Sequence, residues 1–396
     1  MKSSASTRIF EALEAFRIEI PSWGFANTGT RFGKFLQPAA ATTTEEKFSD
    51  AAEVHRVTGI CPTIALHVLW DLPQGLTSTK EISALSTGYG IQPGSINPNL
   101  FQDQTYKHGS FGNPDASIRK RALEHTKDSI EIAQRLNSRD ISMWFADGSN
   151  YPGTANIRRR KAWFEDGLRE AHSHLSPDQR LLIEYKPFEP AFYHTDIADW
   201  GMAIHLARTA GPQAKVLVDT GHHYQSQNIE QIVAWLLSEE MLGGFHFNDR
   251  RYADDDLTIG SIDPYQVFRI FHEILFYEWE NDTEADIAYM IDQSHNLKGK
   301  IEETIQTVTI AQQLFAKAAL VDHQAVSQAQ DCCDLIGAES LLQDAFNTDV
   351  RPIIREWRQS KGLPSDPLKA FLESGHLERI TKERSARNAQ NVSSYA

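Results

Sequence analysis

Cysteine is scarce: Cys61, Cys332 and Cys333 are the only three in 396 residues, and two of them are adjacent. An odd count without spaced pairs excludes a disulfide framework and a cysteine-based zinc motif, which points to a reducing, cytoplasmic setting. Long hydrophobic runs are missing too. None approaches the roughly 20 apolar residues that a membrane helix needs. Residues 1–7 lack the apolar stretch of a signal peptide, so no membrane association is expected. Positive charge is short: 39 Lys and Arg stand against 53 Asp and Glu, a formal net charge of −14. Gripping a phosphate backbone requires clustered basic residues, so a nucleic-acid partner is disfavoured. No glycine-rich phosphate loop joins a strand to a helix, and Ser149 beside Gly148 does not form a nucleophile elbow. Dinucleotide and cysteine-hydrolase chemistry likewise find no support.

Short β-rich apolar runs are present, alternating with longer stretches of helical period. The runs fall at residues 17–20, 63–68, 90–96, 141–145, 181–185, 215–219, 244–247 and 287–292. Helical stretches are expected at 45–57, 116–136, 157–174, 196–209, 229–240 and 261–276. Eight strands alternating with helices predict an α/β fold, a (β/α)8 TIM barrel with a parallel sheet. The barrel is expected over 1–296. A C-terminal helical extension and polar tail occupy 297–396, with helices at 298–319, 325–346, 351–361 and 367–374. The polar stretch 384–396 predicts a tail that frays or docks on a neighbour.

The later strands end in ligand-type residues. Leu181-Leu182-Ile183 leads to Glu184, Val216-Leu217-Val218 to Asp219, Gly243-Gly244-Phe245 to His246, and Tyr289-Met290-Ile291 to Asp292. In a barrel these C-terminal strand ends converge on the active-site face. Three carboxylates and one imidazole on adjacent strands can surround one divalent cation, and hard oxygen donors suit Mn2+, Mg2+ or Co2+, with Zn2+ also able to fit. His222, three residues past Asp219, and Asp254 and Asp256, in the loop after His246, make a second candidate group that Asp219 could bridge. In an extended segment Asp254 and Asp256 would point the same way and Asp255 away. Two close metals are a known device for holding two oxygens of one substrate. Taken singly, each residue has an ordinary role: Asp219 as a helix cap, His246 as a satisfied half-buried histidine, Asp254–Asp256 as a solvated turn. Recurrence over four successive strands is what argues for a site. His67, Trp70 and Trp144 follow the second and fourth strands and suit a sugar pocket, in which rings cover C–H faces and polar groups take hydroxyls. Lys186 lies on the same side of its strand as Glu184 and could reach a substrate oxygen.

Arg17-Ile18-Glu19-Ile20-Pro21-Ser22-Trp23, the loop 94–102 and this ligand set together resemble L-rhamnose isomerase, in the broad-range bacterial branch that also takes D-allose. The ligand set is shared with the wider xylose isomerase-like barrel group. The resemblance implies a metal-dependent aldose–ketose isomerase acting on a small-molecule sugar, in a homotetramer using Mn2+. It implies a structural metal on Glu184, Asp219, His246 and Asp292, and a catalytic metal on His222, Asp254 and Asp256 with Asp219 shared. His67, Trp70, Trp144 and Lys186 would line the sugar, with Phe32 nearby. Asp292 would then move a hydroxyl proton, Lys186 would stabilise developing negative charge, and His67 would assist ring opening. The competing readings are a ketose 3-epimerase, which needs two opposed carboxylates, and a metal-dependent phosphodiesterase, which needs a basic groove that the net charge of −14 argues against.

Overall fold

The apolar runs, rich in Leu, Ile and Val, become eight strands in a computed structural model that describes residues 4–27, 35–188, 194–295 and 297–390. They are β1 (Ile20–Pro21), β2 (Thr63–His67), β3 (Gln92–Asn97), β4 (Asp140–Met143), β5 (Arg180–Glu184), β6 (Ala214–Asp219), β7 (Leu242–Phe247) and β8 (Ala288–Ile291). All pair in parallel in the order β1 to β8. The sheet returns on itself where Glu19 N donates to Tyr289 O at 2.8 Å and Ile291 N donates to Glu19 O at 3.0 Å. The expected barrel is therefore present, with each predicted strand within a few residues of its place.

Alternation along the strands separates two cores. Leu181, Ile183, Val216, Val218, Phe245 and Ile291 face outward into the large core shared with the surrounding helices. Leu182, Leu217 and Met290, with Ala288, form a small separate cluster inside the barrel. One step of two residues along each strand then brings Glu184, Asp219 and Asp292 above that apolar layer, and the same step from Gly244 brings His246. The interior cluster is the floor of the site.

Helix stops and starts follow local chemistry. The helix Thr44–Thr58 begins with a reciprocal capping box between Thr43 and Glu46 and ends on Gly59 at φ 76°. The helix Lys300–Ala318 packs on Pro264–Asn281 on one side and on Thr44–Thr58 on the other, the place of an eighth barrel helix. The single helix expected over 325–346 is two, His323–Asp331 and Leu335–Asn347. They are broken where Cys333 takes φ 55° and Asp334 caps the second helix by accepting from Gly337 N. The polar end forms the helix His376–Gln390, docked on the chain's own barrel. Arg384 pairs with Asp50 at 2.7 and 2.9 Å, and Asn388 donates to Pro38 O and Ala40 O at 2.9 and 3.0 Å. Among the described residues no helix is long and apolar enough to cross a membrane.

Candidate metal centre and sugar pocket

The four strand-end residues meet. Glu184, Asp219, His246 and Asp292 each offer a ligand atom within 4.8 Å of the others, and Asp219, His222 and Asp254 do the same. Asp219 belongs to both groups. Register explains the first group: Asp219 pairs with His246 across β6 and β7, and Asp292 N donates to Phe247 O at 3.1 Å, extending the β8 ladder.

The orientation of each donor is fixed from behind. Asp219 Oδ1 accepts from Gly221 N at 2.7 Å and from Asn248 Nδ2 at 3.0 Å, while its Oδ2 has no hydrogen-bond partner. His222 Nδ1 lies 2.9 Å from the Tyr185 carbonyl, which places the proton there and leaves Nε2 facing Asp219 and Asp254. Asp292 Oδ1 accepts from Trp23 Nε1 at 2.9 Å. His246 is buried, its Nδ1 lies 3.2 Å from Glu184 Oε2, and its Nε2 has no hydrogen-bond partner. Gly221 leaves space that a side chain would take: a Cβ there would lie 2.4 Å from Asn248 Oδ1 and 2.9 Å from Asp254 Oδ1. Buried polar atoms without partners are costly unless something outside the protein satisfies them. Carboxylates with imidazoles around a shared Asp219 fit divalent cations.

The electrostatics show the same crowding. Burial pushes Asp219 up to about 7, reinforced by Glu184, Asp254 and Asp292 against the pull of His222. Burial opposes charge on His246 and His222, yet the neighbouring carboxylates outweigh it and raise them to about 10 and about 9. Glu184 is held below its usual range because His246, His222 and Lys186 overcome its burial. Asp292 is raised by burial and by Glu184.

Asp256 departs from expectation. The segment is a turn, not an extended run: Asp255 Oδ2 accepts from Arg251 N and Tyr252 N at 2.6 and 2.8 Å, and Asp256 sits at φ 49°. Asp255 is turned back to its own loop. Asp256 is in neither of the two groups, although burial and the charges of Asp254 and Asp292 raise its pKa well above the carboxylate range.

Lys186 Nζ lies 2.7 Å from Asp254 Oδ2 and 5.3 Å from the Trp144 ring centroid, linking the second group to the aromatic wall. His67 packs 4.0 Å from Trp70 and 4.7 Å from Trp23, centroid to centroid. Burial, with Lys47 and His246, drives His67 down to about 3, so it is neutral. Phe32 lies outside the described residues. Sequence reasoning passed over Trp23, Phe101 and Asn248. Phe101 fills the wall between Trp144 at 4.7 Å and His67 at 5.8 Å. The signals were weak: Trp23 follows the shortest strand, and Phe101 sits in a polar loop.

A profile described as a xylose isomerase-like TIM barrel matches residues 59–299. A probable sugar isomerase of Rhizobium meliloti is 37% identical over 377 residues, 94% of this chain and 87% of that protein. The chain belongs to the xylose isomerase-like TIM barrel family. A probable sugar isomerase of Mesorhizobium japonicum is also 37% identical, over 379 residues with the same coverage of 94% and 87%. The solved structure of a xylose isomerase domain protein from Alicyclobacillus acidocaldarius aligns with a TM-score of 0.53 at 14% identity, over 77% of this chain and 99% of its own. At that identity it speaks for the fold alone. In this xylose isomerase-like barrel the strand-end donors sit on the C-terminal face, where barrel enzymes place their chemistry.

Proposed function

We propose that the protein is a divalent-metal-dependent aldose–ketose isomerase that converts L-rhamnose to L-rhamnulose and D-allose to D-psicose. The observation that carries this reading is the pair of donor groups sharing Asp219, with His246 Nε2 buried and unpartnered, beside an aromatic wall. The sugar isomerase names of the relatives that align over most of the chain support the isomerase class.

Glu184, Asp219, His246 and Asp292 would hold one cation, and Asp219, His222 and Asp254 the second, with Asp256 joining on loop movement. Mn2+ is the proposed metal, ahead of Co2+, Mg2+ or Zn2+. When bound, the cations supply the charge that polarises a sugar carbonyl and acidifies the neighbouring hydroxyl. His67, Trp70, Phe101 and Trp144 cover the C–H face of the sugar and exclude water. His67 is neutral and has a free buried Nδ1, suited to a ring or hydroxyl oxygen during ring opening. Lys186, steadied by Asp254, places its ammonium against the oxygen on which negative charge grows. Asp292, steered through Oδ1 by Trp23, keeps Oδ2 for the hydroxyl proton. A cytoplasmic homotetramer completes the proposal.

The test strips metal with EDTA, restores Mn2+, and screens L-rhamnose, L-mannose, D-allose and D-ribose for ketose. Metal-dependent ketose from L-rhamnose or D-allose is expected. Conversion of no aldose, or of one ketose only into another, refutes the assignment, the latter in favour of a 3-epimerase. Glu184→Gln should abolish the activity.

A further inference from the structure

Residues of the helices Arg351–Ser360 and Lys300–Ala318 and of the loop before Pro367 line one cavity that shares no residue with the metal centre. Arg351, Arg355 and Arg358 recur at i, i+4 and i+7, so they share one helix face. Together with Thr309 and Gln313 they line a cavity of about 170 Å³. In a chain of net charge −14, three arginines on one small cavity are a local reversal of sign.

Arg358 is the unusual member. Only 6% of it is exposed, its Nη2 donates to Gln312, and its Nε has no hydrogen-bond partner. Arg351 is occupied by Asp349, at 2.7 Å from Nε to Oδ1. Neither Arg355 nor Arg358 has a carboxylate within ion-pair distance among the described residues. Asp366, the carboxylate in the lining, caps the next helix by accepting from Lys369 N at 3.0 Å. Burial accordingly depresses the Arg358 pKa to about 10, against the pull of Asp366 and with the push of Arg355. A buried guanidinium with no carboxylate at ion-pair distance is costly, and a planar fork of donors is the group best shaped to receive an oxyanion.

We propose that this cavity binds a phosphate group, with Arg358 at its base, Arg355 closing over it and Arg351 at the rim. Free phosphate and the phosphate of a small monoester present the same chemistry of recognition. The site is separate from the metal centre, so its failure would leave the isomerase reading intact.

Calorimetric titration of the metal-loaded full chain with inorganic phosphate, and in parallel with methyl phosphate, tests this. One saturable site is expected for at least one of the two. Arg355→Ala, a change at an exposed side chain that leaves the fold alone, should weaken it about tenfold through loss of a charge-assisted hydrogen bond. Arg358→Lys keeps the charge but not the fork and should weaken it as well. Binding of neither probe, or binding that both variants leave unchanged, overturns the proposal. So does binding that survives in Arg355→Ala and disappears in Lys186→Gln, which would place the anion at the barrel mouth.

Discussion

Metal uptake by the stripped protein should release protons, and the structure sets how many. Without metal, His246 and His222 have pKa values of about 10 and about 9, because Glu184, Asp219, Asp254 and Asp292 surround them. At pH 8 both imidazoles are therefore mostly protonated, whereas Asp219, at about 7, is mostly ionised. A ligating imidazole must be neutral, so filling both positions at pH 8 should expel about two protons per chain. The sign of the pH dependence follows. Protons compete with the cation below the histidine pKa values, so apparent affinity at each position should rise roughly tenfold per pH unit between about 7.5 and 9. The gain should flatten once each histidine has titrated. Calorimetric titration of Mn2+ in buffers of different ionisation enthalpy reads the proton count directly. Release of well under one proton, with affinity flat across that range, would refute the reasoning, because the imidazoles would then be neutral before metal arrives.

Gly221→Ala should abolish cation binding at the Asp219–His222–Asp254 group while the barrel still folds, since its Cβ would intrude to 2.4 Å from Asn248 Oδ1 and 2.9 Å from Asp254 Oδ1. Metal stoichiometry by atomic absorption, falling from two toward one per chain, checks it. Trp23→Phe keeps a ring in the wall but removes the donor to Asp292 Oδ1. Turnover or metal affinity should drop about 10- to 100-fold, as for loss of a residue that orients a metal ligand; steady-state kinetics with Mn2+ titration will tell. Arg384→Met leaves Asp50 buried without its partner, and should cost about 3–5 kcal/mol by chemical denaturation, the usual penalty for breaking a buried pair from one side.

The four strand ends were legible because their signal is local. A run such as Leu181-Leu182-Ile183 specifies a buried parallel strand, and a Glu or Asp that terminates it can only sit at the strand's end. Lys186 was legible for the same reason, two residues past Glu184. Trp23 was not, because its role is a hydrogen bond to Asp292, 269 residues away. Asp256 went the other way. Its spacing from Asp254 suggested a common direction, but the Asp255 carboxylate folds the segment into a turn by capturing two backbone amides. The polar end at 384–390 looked poor in packing power, yet Arg384 and Asn388 are buried by ion pairing and carbonyl contacts that hydrophobic pattern does not report.

By itself the sequence determined the barrel, the strand order and which residue types would face its mouth. Period-two and 3.6-residue patterns are properties of neighbouring residues. Tertiary structure alone decided which donors share an atom's reach. It made Asp219 common to two groups, set Asp256 apart, lined the wall with Phe101, and left Arg358 without a carboxylate at ion-pair distance. Those outcomes depend on distances of a few ångströms between segments far apart in the chain, which barrel closure and packing fix and no local pattern encodes.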